Sequence, residues 1–262
     1  MLAEQRRRGI LEELERSESV SVAWLSERFG VSDMTIRRDL DALSSRNLLR
    51  KVHGGAVPVG TADGKAAIEP HFAQKRYLNR PEKQAIAREA TALIEAGDTV
   101  AFSAGTTTWT IAAGLRGDPR DLTFVTNSTN IALTLHENGW GQIVLSGGSF
   151  RTPSDALVGP YADSTLGNLN ADVLFLGVHG LHPKAGLTTP NIAEASTNRC
   201  LVEAAQRMVV VADSSKLGVV ALARIVPLSR ADIVVTDEGA SEEALEAMRL
   251  AGVEVIVANV RD

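Results

Sequence analysis

The sequence is poor in the residues and patterns that mark secreted, disulfide-bonded and membrane proteins. A single cysteine, Cys200, excludes an internal disulfide and a metal site built from several cysteines. No apolar run approaches the roughly 18 residues that a transmembrane helix needs. Acidic residues rather than an apolar segment follow the N-terminal arginines, so we expect no signal peptide. These absences predict a reduced, cytoplasmic protein with no membrane partner.

The chain otherwise has the composition of a globular protein, with an uneven distribution of charge. Its 262 residues are 44% hydrophobic and 23% charged, which is typical of one or two folded domains. Residues 1–60 contain 10 basic and 9 acidic side chains, whereas the remainder contains 17 and 23. Five basic residues cluster within fifteen positions: Arg37, Arg38, Arg46, Arg50 and Lys51. A basic stripe on an acidic protein favours one surface that faces a polyanion.

The first sixty residues have the periodicity of three helices followed by a hairpin. In the third helix, Ile36, Leu40 and Leu43 recur at helical spacing and are expected to face inward. Ser32 stands where it can cap this helix. The side chains left on the outer face are Thr35, Arg37, Arg38 and Asp41. A basic, polar outer face is what a DNA recognition helix presents to the major groove.

Several positions of this region resemble the helix-turn-helix of the DeoR family of transcriptional regulators. The matching residues are Arg6, Ile10 and Leu14, then SDMTIRRDL (Ser32–Leu40), with LLRKVHGGA (Leu48–Ala56) resembling the wing. The resemblance implies that Arg37 or Arg38 meets DNA, at a phosphate or a guanine, and that Asp39 caps or pairs internally. The residues expected at double-stranded operator DNA are Ser32, Thr35, Arg37, Arg38, Lys51 and His53. The alternative is a three-helix bundle whose arginines are merely solvated.

Beyond this region the chain is expected to hold a linker and a larger α/β domain. Residues 58–80 are rich in Gly, Ala and Pro, and a helix is predicted from Pro81 to Gly97. Seven apolar runs then alternate with helical segments: TVAF, LTFVT, QIVL, VLFLG, MVVVA, DIVVT and VEVIV. Such runs predict a mostly parallel sheet covered on both faces. The predicted domains are 1–57 (winged helix-turn-helix), 58–80 (linker) and 81–262 (effector-sensing α/β domain).

Polar turns follow several of these strands, where ligands bind in open α/β sheets. Gly and hydroxyl residues that open a helix offer N–H and O–H donors to a phosphate, and a lysine can neutralise its charge. The residues predicted to bind an effector are Gly105, Thr106, Thr107, Asn127, Gly148 and Lys216. The alternative is that these residues only form turns and helix caps.

The segment from Glu82 onward resembles the C-terminal sensor domain of the DeoR family, which has a fold of the ribose-5-phosphate isomerase type. The resemblance implies a phosphorylated sugar as effector. Two positions depart from the family pattern, because Ser103 replaces an acidic residue and Asn198 replaces a lysine. These departures put the identity of the effector in doubt.

We assign neither catalysis nor metal binding to the other polar residues of the predicted α/β domain. The turn His179–Asn191 is expected to be a lid or a specificity loop. His179 and His182 lack a carboxylate partner in the sequence pattern, so no metal site is assigned. Cys200 is expected to be a buried structural thiol rather than a nucleophile. No catalytic residue and no cofactor are assigned.

Two functions from different classes are open at this point. The first is a transcriptional repressor of a carbohydrate operon, released by a phosphorylated sugar. The second is a sugar-phosphate isomerase with an appended DNA-binding module, which would need a positioned general base. The loop GVHGLHPKAGLTTPN lacks the acidic and lysine-glycine-rich run of the isomerase pattern, which favours the regulator. A small winged module needs a symmetric partner to read an operator, so a homo-oligomer, dimer or tetramer, is expected.

Overall fold

The computed structural model describes residues 3–17, 19–46, 48–52, 54–57, 72–76, 78–116 and 121–260. The chain divides into two compact units, Met1–Leu78 and Asn79–Asp262, which we call the N-terminal and C-terminal units. No helix among the described residues is long and apolar enough to span a membrane.

The N-terminal unit is a three-helix unit with a small antiparallel sheet, as the periodicity predicts. Its elements are α1 (Ala3–Ser17), β1 (Val20–Ser21), α2 (Val22–Phe29), α3 (Asp33–Ser45), β2 (Arg50–Val52), β3 (Gly55–Val57) and the single turn α4 (Phe72–Lys75). β3 lies between β1 and β2 and pairs antiparallel with both. The hairpin β2–β3 is the predicted wing.

Short-range signals place α2 and α3, and the expected cap at Ser32 is among them. Ser21 and Ser32 each accept a hydrogen bond from a backbone N–H in the first turn, of α2 and α3 respectively. Gly30 ends α2 in the left-handed conformation. Ile10, Leu14, Leu25, Ile36, Leu40, Leu43 and Leu49 form the shared core. Close packing of β3 on β1 requires Gly55, because a Cβ there would lie 2.0 Å from the carbonyl oxygen of Val20.

The C-terminal unit alternates strands and helices. Its helices are α5 (Arg80–Thr91), α6 (Thr106–Gly114), α7 (Thr129–Glu137), α8 (Pro160–Leu166), α9 (Ile192–Ala204) and α10 (Glu242–Leu250). Its strands are β4 (Thr99–Phe102), β5 (Thr123–Thr126), β6 (Ile143–Leu145), β7 (Ser149–Arg151), β8 (Ala156–Val158), β9 (Ala171–Gly177), β10 (Gly180–His182), β11 (Gly186–Thr189), β12 (Ala205–Val211), β13 (Ala223–Arg224), β14 (Ile233–Asp237) and β15 (Glu254–Ala258).

The main sheet has seven parallel strands in the order β15-β14-β12-β9-β4-β5-β6. These strands are the seven apolar runs of the sequence, so the predicted α/β architecture with a parallel sheet is confirmed. Apolar residues cover both faces of the central strands. On one face Phe102 stacks on Phe124 and Phe175, with ring centroids 6.2 and 5.4 Å apart.

The edges of the sheet and the start of the unit differ from the predictions. Burial on both faces is wrong for the edge strand β6, where Val144 and Leu145 are 37% and 42% exposed. The first helix begins at Arg80 and ends at Thr91, not at Gly97, because residues 92–98 form turns instead. Within the predicted linker, residues 58–71 and 77 lie outside the described residues, and Phe72–Lys75 is helical.

Candidate DNA interface and effector site

The recognition helix α3 exposes the arginines that the sequence assigns to DNA. Ile36, Leu40 and Leu43 are buried, which turns Arg37 and Arg38 outward into solvent. Thr35 is half-buried at the N-terminal end of the helix. The hydroxyl groups of Ser32 and Thr35 lie 2.9 Å apart and form a hydrogen bond with each other. Both side chains therefore stabilise the first turn of α3, as a cap does.

A buried ion cluster joins α1 to α3. The Asp39 side chain is 2% exposed and accepts hydrogen bonds from the Nε atoms of Arg6 at 2.6 Å and Arg7 at 2.8 Å. The expected internal pairing of Asp39 is thus confirmed. Sequence reasoning missed Arg7 as its second partner, although the run Arg6-Arg7-Arg8 was a signal. Removing Asp39 would leave the buried Arg6 guanidinium without a compensating charge.

The wing is tied to α3 by an exposed ion pair. Lys51 on β2 donates a hydrogen bond to the carboxylate of Asp41 on α3. Their side chains are 43% and 60% exposed, so this pair contributes little to stability. A DNA phosphate could therefore replace Asp41 as the partner of Lys51 at low cost. His53 lies outside the described residues.

The candidate effector site lies at the point where the order of the sheet reverses. From β4 the chain proceeds to β5 and β6 on one side, whereas β9, β12, β14 and β15 lie on the other. Ligands of open α/β sheets bind at such a switch point, outside the carboxyl ends of the strands. The predicted residues Gly105, Thr106 and Thr107 follow β4 after Ser103 and Ala104, at the start of α6.

The turn between β4 and α6 is held by buried polar side chains. The Ser103 hydroxyl accepts a hydrogen bond from the Gly177 N–H at 2.9 Å, which joins the ends of β4 and β9. Thr108 donates to the Ser103 carbonyl at 2.8 Å. Asn127 accepts from the Ala104 N–H at 2.8 Å and donates to the Leu157 carbonyl at 3.1 Å. The Asn127 side chain therefore joins the β4–α6 turn to β8.

The N-terminus of α6 is left open, in contrast to that of its neighbour. Ser128 caps α7 by accepting from the Ile131 N–H at 3.3 Å, whereas no side chain caps α6 among the described residues. The hydroxyls of Thr106 and Thr107 have no hydrogen-bond partner in the described part of the chain, although Thr107 is buried. Uncapped N–H groups beside unpaired hydroxyls form an anion-binding arrangement.

Backbone geometry and close packing require a glycine at position 148, in the loop after β6. Gly148 has a φ of +114°, and a Cβ there would lie 2.8 Å from the Val158 carbonyl oxygen and 3.0 Å from the Ala162 Cβ. Gly147 also has a positive φ, of +70°, but a Cβ there would meet nothing within 4 Å. The predicted effector residue Gly148 is thus required by the packing of this loop on β8 and α8.

Lys216 ends the short turn Ser214–Lys216 that follows β12. Its side chain is half-buried and has no hydrogen bond or ion pair with any described residue. The turn itself is fixed by Asp237, which accepts from the Ser214 N–H at 2.6 Å. An unpaired lysine at a strand end is suited to neutralise an anion.

Another buried carboxylate, which sequence reasoning missed, lies at the start of α9. Glu194 accepts hydrogen bonds from Arg151 at 3.0 Å and Thr189 at 2.9 Å, and also from Ser154. These contacts join β7, β11 and α9. Only the general enrichment of acidic residues in the first turn of a helix could have suggested Glu194.

The segment His179–Asn191 is not the long turn that the sequence suggests. It forms the hairpin β10–β11, which pairs with β13. The His182 Nδ1 accepts from the backbone N–H groups of Lys184 and Ala185, at 3.1 and 3.2 Å. Among the described residues, no group of three or more histidine, cysteine, aspartate or glutamate side chains could hold a metal ion.

Cys200 is half-buried on α9, rather than fully buried as expected. Burial raises the pKa of its thiol above the ordinary value, and the nearby carboxylates of Asp163 and Glu203 raise it further. The thiol is therefore protonated at neutral pH, which opposes a role as nucleophile.

Two family models match this chain over the units just described. The DeoR-like helix-turn-helix domain matches residues 6–61, and the DeoR C-terminal sensor domain matches residues 78–238. The chain belongs to the DeoR family. It is therefore a DNA-binding transcriptional regulator with a sensor domain, which confirms the regulator interpretation rather than the isomerase alternative.

Full-length relatives agree with this assignment to the DeoR family. The chain is 41% identical to the HTH-type transcriptional regulator GlpR of Haloferax volcanii, over 98% of both chains. It is 33% identical to the transcriptional repressor AccR of Agrobacterium fabrum, over 90% of each.

Two solved structures are also similar, at lower sequence identity than these relatives. Ribose 5-phosphate isomerase A of Methanocaldococcus jannaschii has a TM-score of 0.40 at 17% identity, over 53% of this chain and 55% of that one. The translation initiation factor eIF-2B of Pyrococcus horikoshii has a TM-score of 0.42 at 12% identity, over 89% and 82%.

Proposed function

We propose that this DeoR-family regulator is a cytoplasmic repressor of a carbohydrate operon, and that a phosphorylated sugar releases it from its operator. The observation that carries the effector class is the open N-terminus of α6, where the Thr106 and Thr107 hydroxyls have no described partner. Uncapped backbone N–H groups favour an anion over a neutral ligand. A repressor among the full-length relatives supports the regulatory direction.

In this proposal Lys216 completes the neutralisation of the phosphate. β12, which precedes it, lies two strands from β4 in the sheet, a separation of about 10 Å. A lysine side chain from one strand end and helix N–H groups from the other can therefore approach one ligand from two sides. The phosphate would occupy the N-terminus of α6 and draw Lys216 toward it. Gly148 and Asn127 would shape the site through the backbone contacts described above.

On the DNA side, Arg37 and Arg38 are the residues that reach base edges or phosphates. Ser32 and Thr35 hold the N-terminus of α3 and can offer it to a phosphate. Lys51 and His53 act from the wing. The regulator acts as a dimer or tetramer, since one winged module covers only part of an operator. It needs no cofactor and performs no catalysis.

The effector class is tested by a release assay with labelled operator DNA. Ribose 5-phosphate, glucose 6-phosphate and fructose 1-phosphate are each compared with the parent sugar. We expect at least one phosphorylated sugar to release the DNA and its parent sugar to act weakly. If only neutral sugars or nucleotides release the DNA, the phosphate assignment is wrong.

Two variants locate the site within the C-terminal unit. Lys216→Ala and Thr107→Val should bind operator DNA as the wild type does but respond weakly to the phosphorylated sugar. Lys184→Ala, on the β10–β11 hairpin, is the matched control for the loss of one positive charge. Variants that respond like the wild type would show that these residues only shape turns.

A further inference from the structure

Within the described part of the chain, Arg7 uses only one of its three guanidinium nitrogens. Its Nε donates to Asp39, and its side chain is 30% exposed. The two Nη groups have no partner among the described residues. The neighbouring Arg6 differs, because its side chain is only 9% exposed. Its Nε donates to the other carboxylate oxygen of Asp39.

The position of Asp39 on α3 places Arg7 beside the recognition surface. Successive helical residues are about 100° apart, so Asp39 lies one step from Arg38 and one turn after Thr35. Asp41, which binds Lys51 of the wing, lies about 160° from Asp39 around the helix axis. Arg7 and the wing therefore flank α3 on opposite sides.

We propose that Arg7 binds a DNA phosphate on the flank of α3 opposite the wing, with Asp39 as its positioning residue. The carboxylate fixes the guanidinium plane through Nε and leaves the paired Nη donors, which match the geometry of a phosphate. Because the side chain is already ordered, little conformational entropy is lost when DNA binds.

The salt dependence of operator binding by the full-length protein tests this role. Each phosphate contact adds about 0.9 to the slope of log affinity against log salt concentration. Arg7→Gln should lower affinity about tenfold at low salt and reduce the slope by about one contact, while Arg7→Lys should keep the slope. Arg249→Gln, on α10 of the C-terminal unit, controls for the loss of one positive charge. An unchanged slope in Arg7→Gln, whatever its affinity, would overturn the assignment.

A separate observation concerns Asn79, the first residue of the C-terminal unit. Asn79 adopts the left-handed conformation, with φ +51°, and does not cap its own helix α5. Its Nδ2 donates instead to Asp213 at 2.9 Å and to the Ser215 hydroxyl at 3.2 Å. The residue that begins the unit is thereby fastened to the turn that carries Lys216.

Several hydrogen bonds hold that turn together. The Asp213 carboxylate is buried and also accepts from the N–H of Ser215 at 3.2 Å and from its hydroxyl. The Ser214 N–H is fixed to Asp237. Because Lys216 follows Ser215 directly, we expect a ligand that displaces Lys216 to disturb the bonds of Asn79 to Asp213 and Ser215.

We propose that Asn79 couples effector binding at Lys216 to the chain segment that precedes Asn79 and leads to the N-terminal unit. This inference rests on the proposed sugar-phosphate response. The effector then favours one arrangement of the Asn79–Asp213 contact, and operator DNA favours the other. Asn79 is a positioning residue that touches neither ligand.

Asn79→Gly tests this coupling, because glycine keeps the left-handed backbone and removes only the amide. The probe is the panel sugar phosphate that releases most DNA, and its Kd is measured with and without operator. In the variant, the Kd of each ligand measured alone should stay within about twofold of the wild-type value. The ratio of the sugar-phosphate Kd with operator to that without operator should fall toward one. Asn168→Ala, which removes an exposed asparagine that bonds to the Ser164 carbonyl, is the control.

The outcomes separate this inference from the proposed function. If the wild type shows no difference between the two Kd values, the proposed sugar-phosphate response fails. If the wild type shows the difference and Asn79→Gly retains it, the role of Asn79 is wrong. If Asn79→Gly loses sugar-phosphate binding altogether, Asn79 belongs to the binding site and the coupling role is also wrong.

Discussion

Most of the described candidate ligand-contacting side chains in the N-terminal unit are exposed, whereas most of those in the C-terminal unit are buried or half-buried. Arg37, Arg38 and Lys51 lie in solvent. Thr107 and Asn127 are buried, and the Asn127 amide bonds to backbone groups of the β4–α6 turn and of β8. In the proposed mode of action, side chains therefore contact the DNA, whereas the effector binds an open helix N-terminus that neighbouring residues shape.

This difference determines what a substitution does in each unit. Exposed arginines can be removed without loss of packing, so their substitution reports on binding alone. Buried polar residues and constrained glycines couple binding to folding, since their loss leaves unpaired groups or close contacts. The exception in the N-terminal unit is the buried cluster of Asp39 with Arg6 and Arg7.

The largest expected effect is the loss of this cluster. Asp39→Ala leaves the buried Arg6 charge without a partner, which should lower the free energy of unfolding by about 3–5 kcal/mol. Urea denaturation measures the change. Asp41→Ala, which removes an exposed carboxylate from the same helix, should cost less than about 1 kcal/mol. Equal effects of the two substitutions would show that Asp39 is not the anchor of α3.

The loop after β6 gives the next largest effect. Gly148→Ala combines a φ of +114° with a contact of 2.8 Å to the Val158 carbonyl oxygen, and should cost about 2 kcal/mol or more. Gly147→Ala has open space around its Cβ and should cost about 1 kcal/mol. Thermal unfolding of both variants provides the comparison. A smaller loss in Gly148→Ala than in Gly147→Ala would contradict the packing described for this loop.

Arg37→Ala and Arg38→Ala should weaken operator binding without changing the unfolding transition. If one of them contacts a guanine, its loss should cost about 1–3 kcal/mol and relax specificity at one base pair. A phosphate contact would instead weaken binding to all sequences alike and flatten the salt dependence. Gel-shift titrations with operator and unrelated DNA distinguish the two. Unchanged affinity in the double variant would remove α3 from the DNA interface.

The smallest effect is expected at Cys200. Because the pKa of its thiol is raised, less thiolate is present at neutral pH, and alkylation should be slower than for a free cysteine. The rate should rise through a midpoint above the usual thiol pKa of about 8.5. Cys200→Ser should bind and release DNA normally. Rapid alkylation at pH 7 would contradict the protonated state.

The sequence predicts best what periodicity and short-range signals control. The seven apolar runs correspond to the seven parallel strands, and Ser32 caps α3 as expected. The recognition helix is predictable because one amphipathic helix separates inner from outer residues. An edge strand such as β6 is not, since an apolar run does not say whether a neighbour covers it.

Contacts between distant segments account for what the sequence could not predict. Glu194 bonds to Arg151 and Asn79 to Asp213 only in the folded chain, since these partners are 43 and 134 residues apart in the sequence. The list of effector residues has the same limit. Glycine and threonine types predict a phosphate cradle after β4, but only the fold shows that Asn127 is occupied and that Lys216 has no described partner.

Antagonism between operator and phosphorylated sugar is tested most directly by a linkage measurement on the wild-type protein. Calorimetry gives the Kd of the sugar phosphate with and without operator, and gel shifts give the Kd of the operator with and without the sugar phosphate. Each ligand should weaken the other by the same factor, because coupling free energies are reciprocal. If a sugar phosphate binds the protein with the same Kd in the presence and absence of operator, release of the DNA by this effector is contradicted.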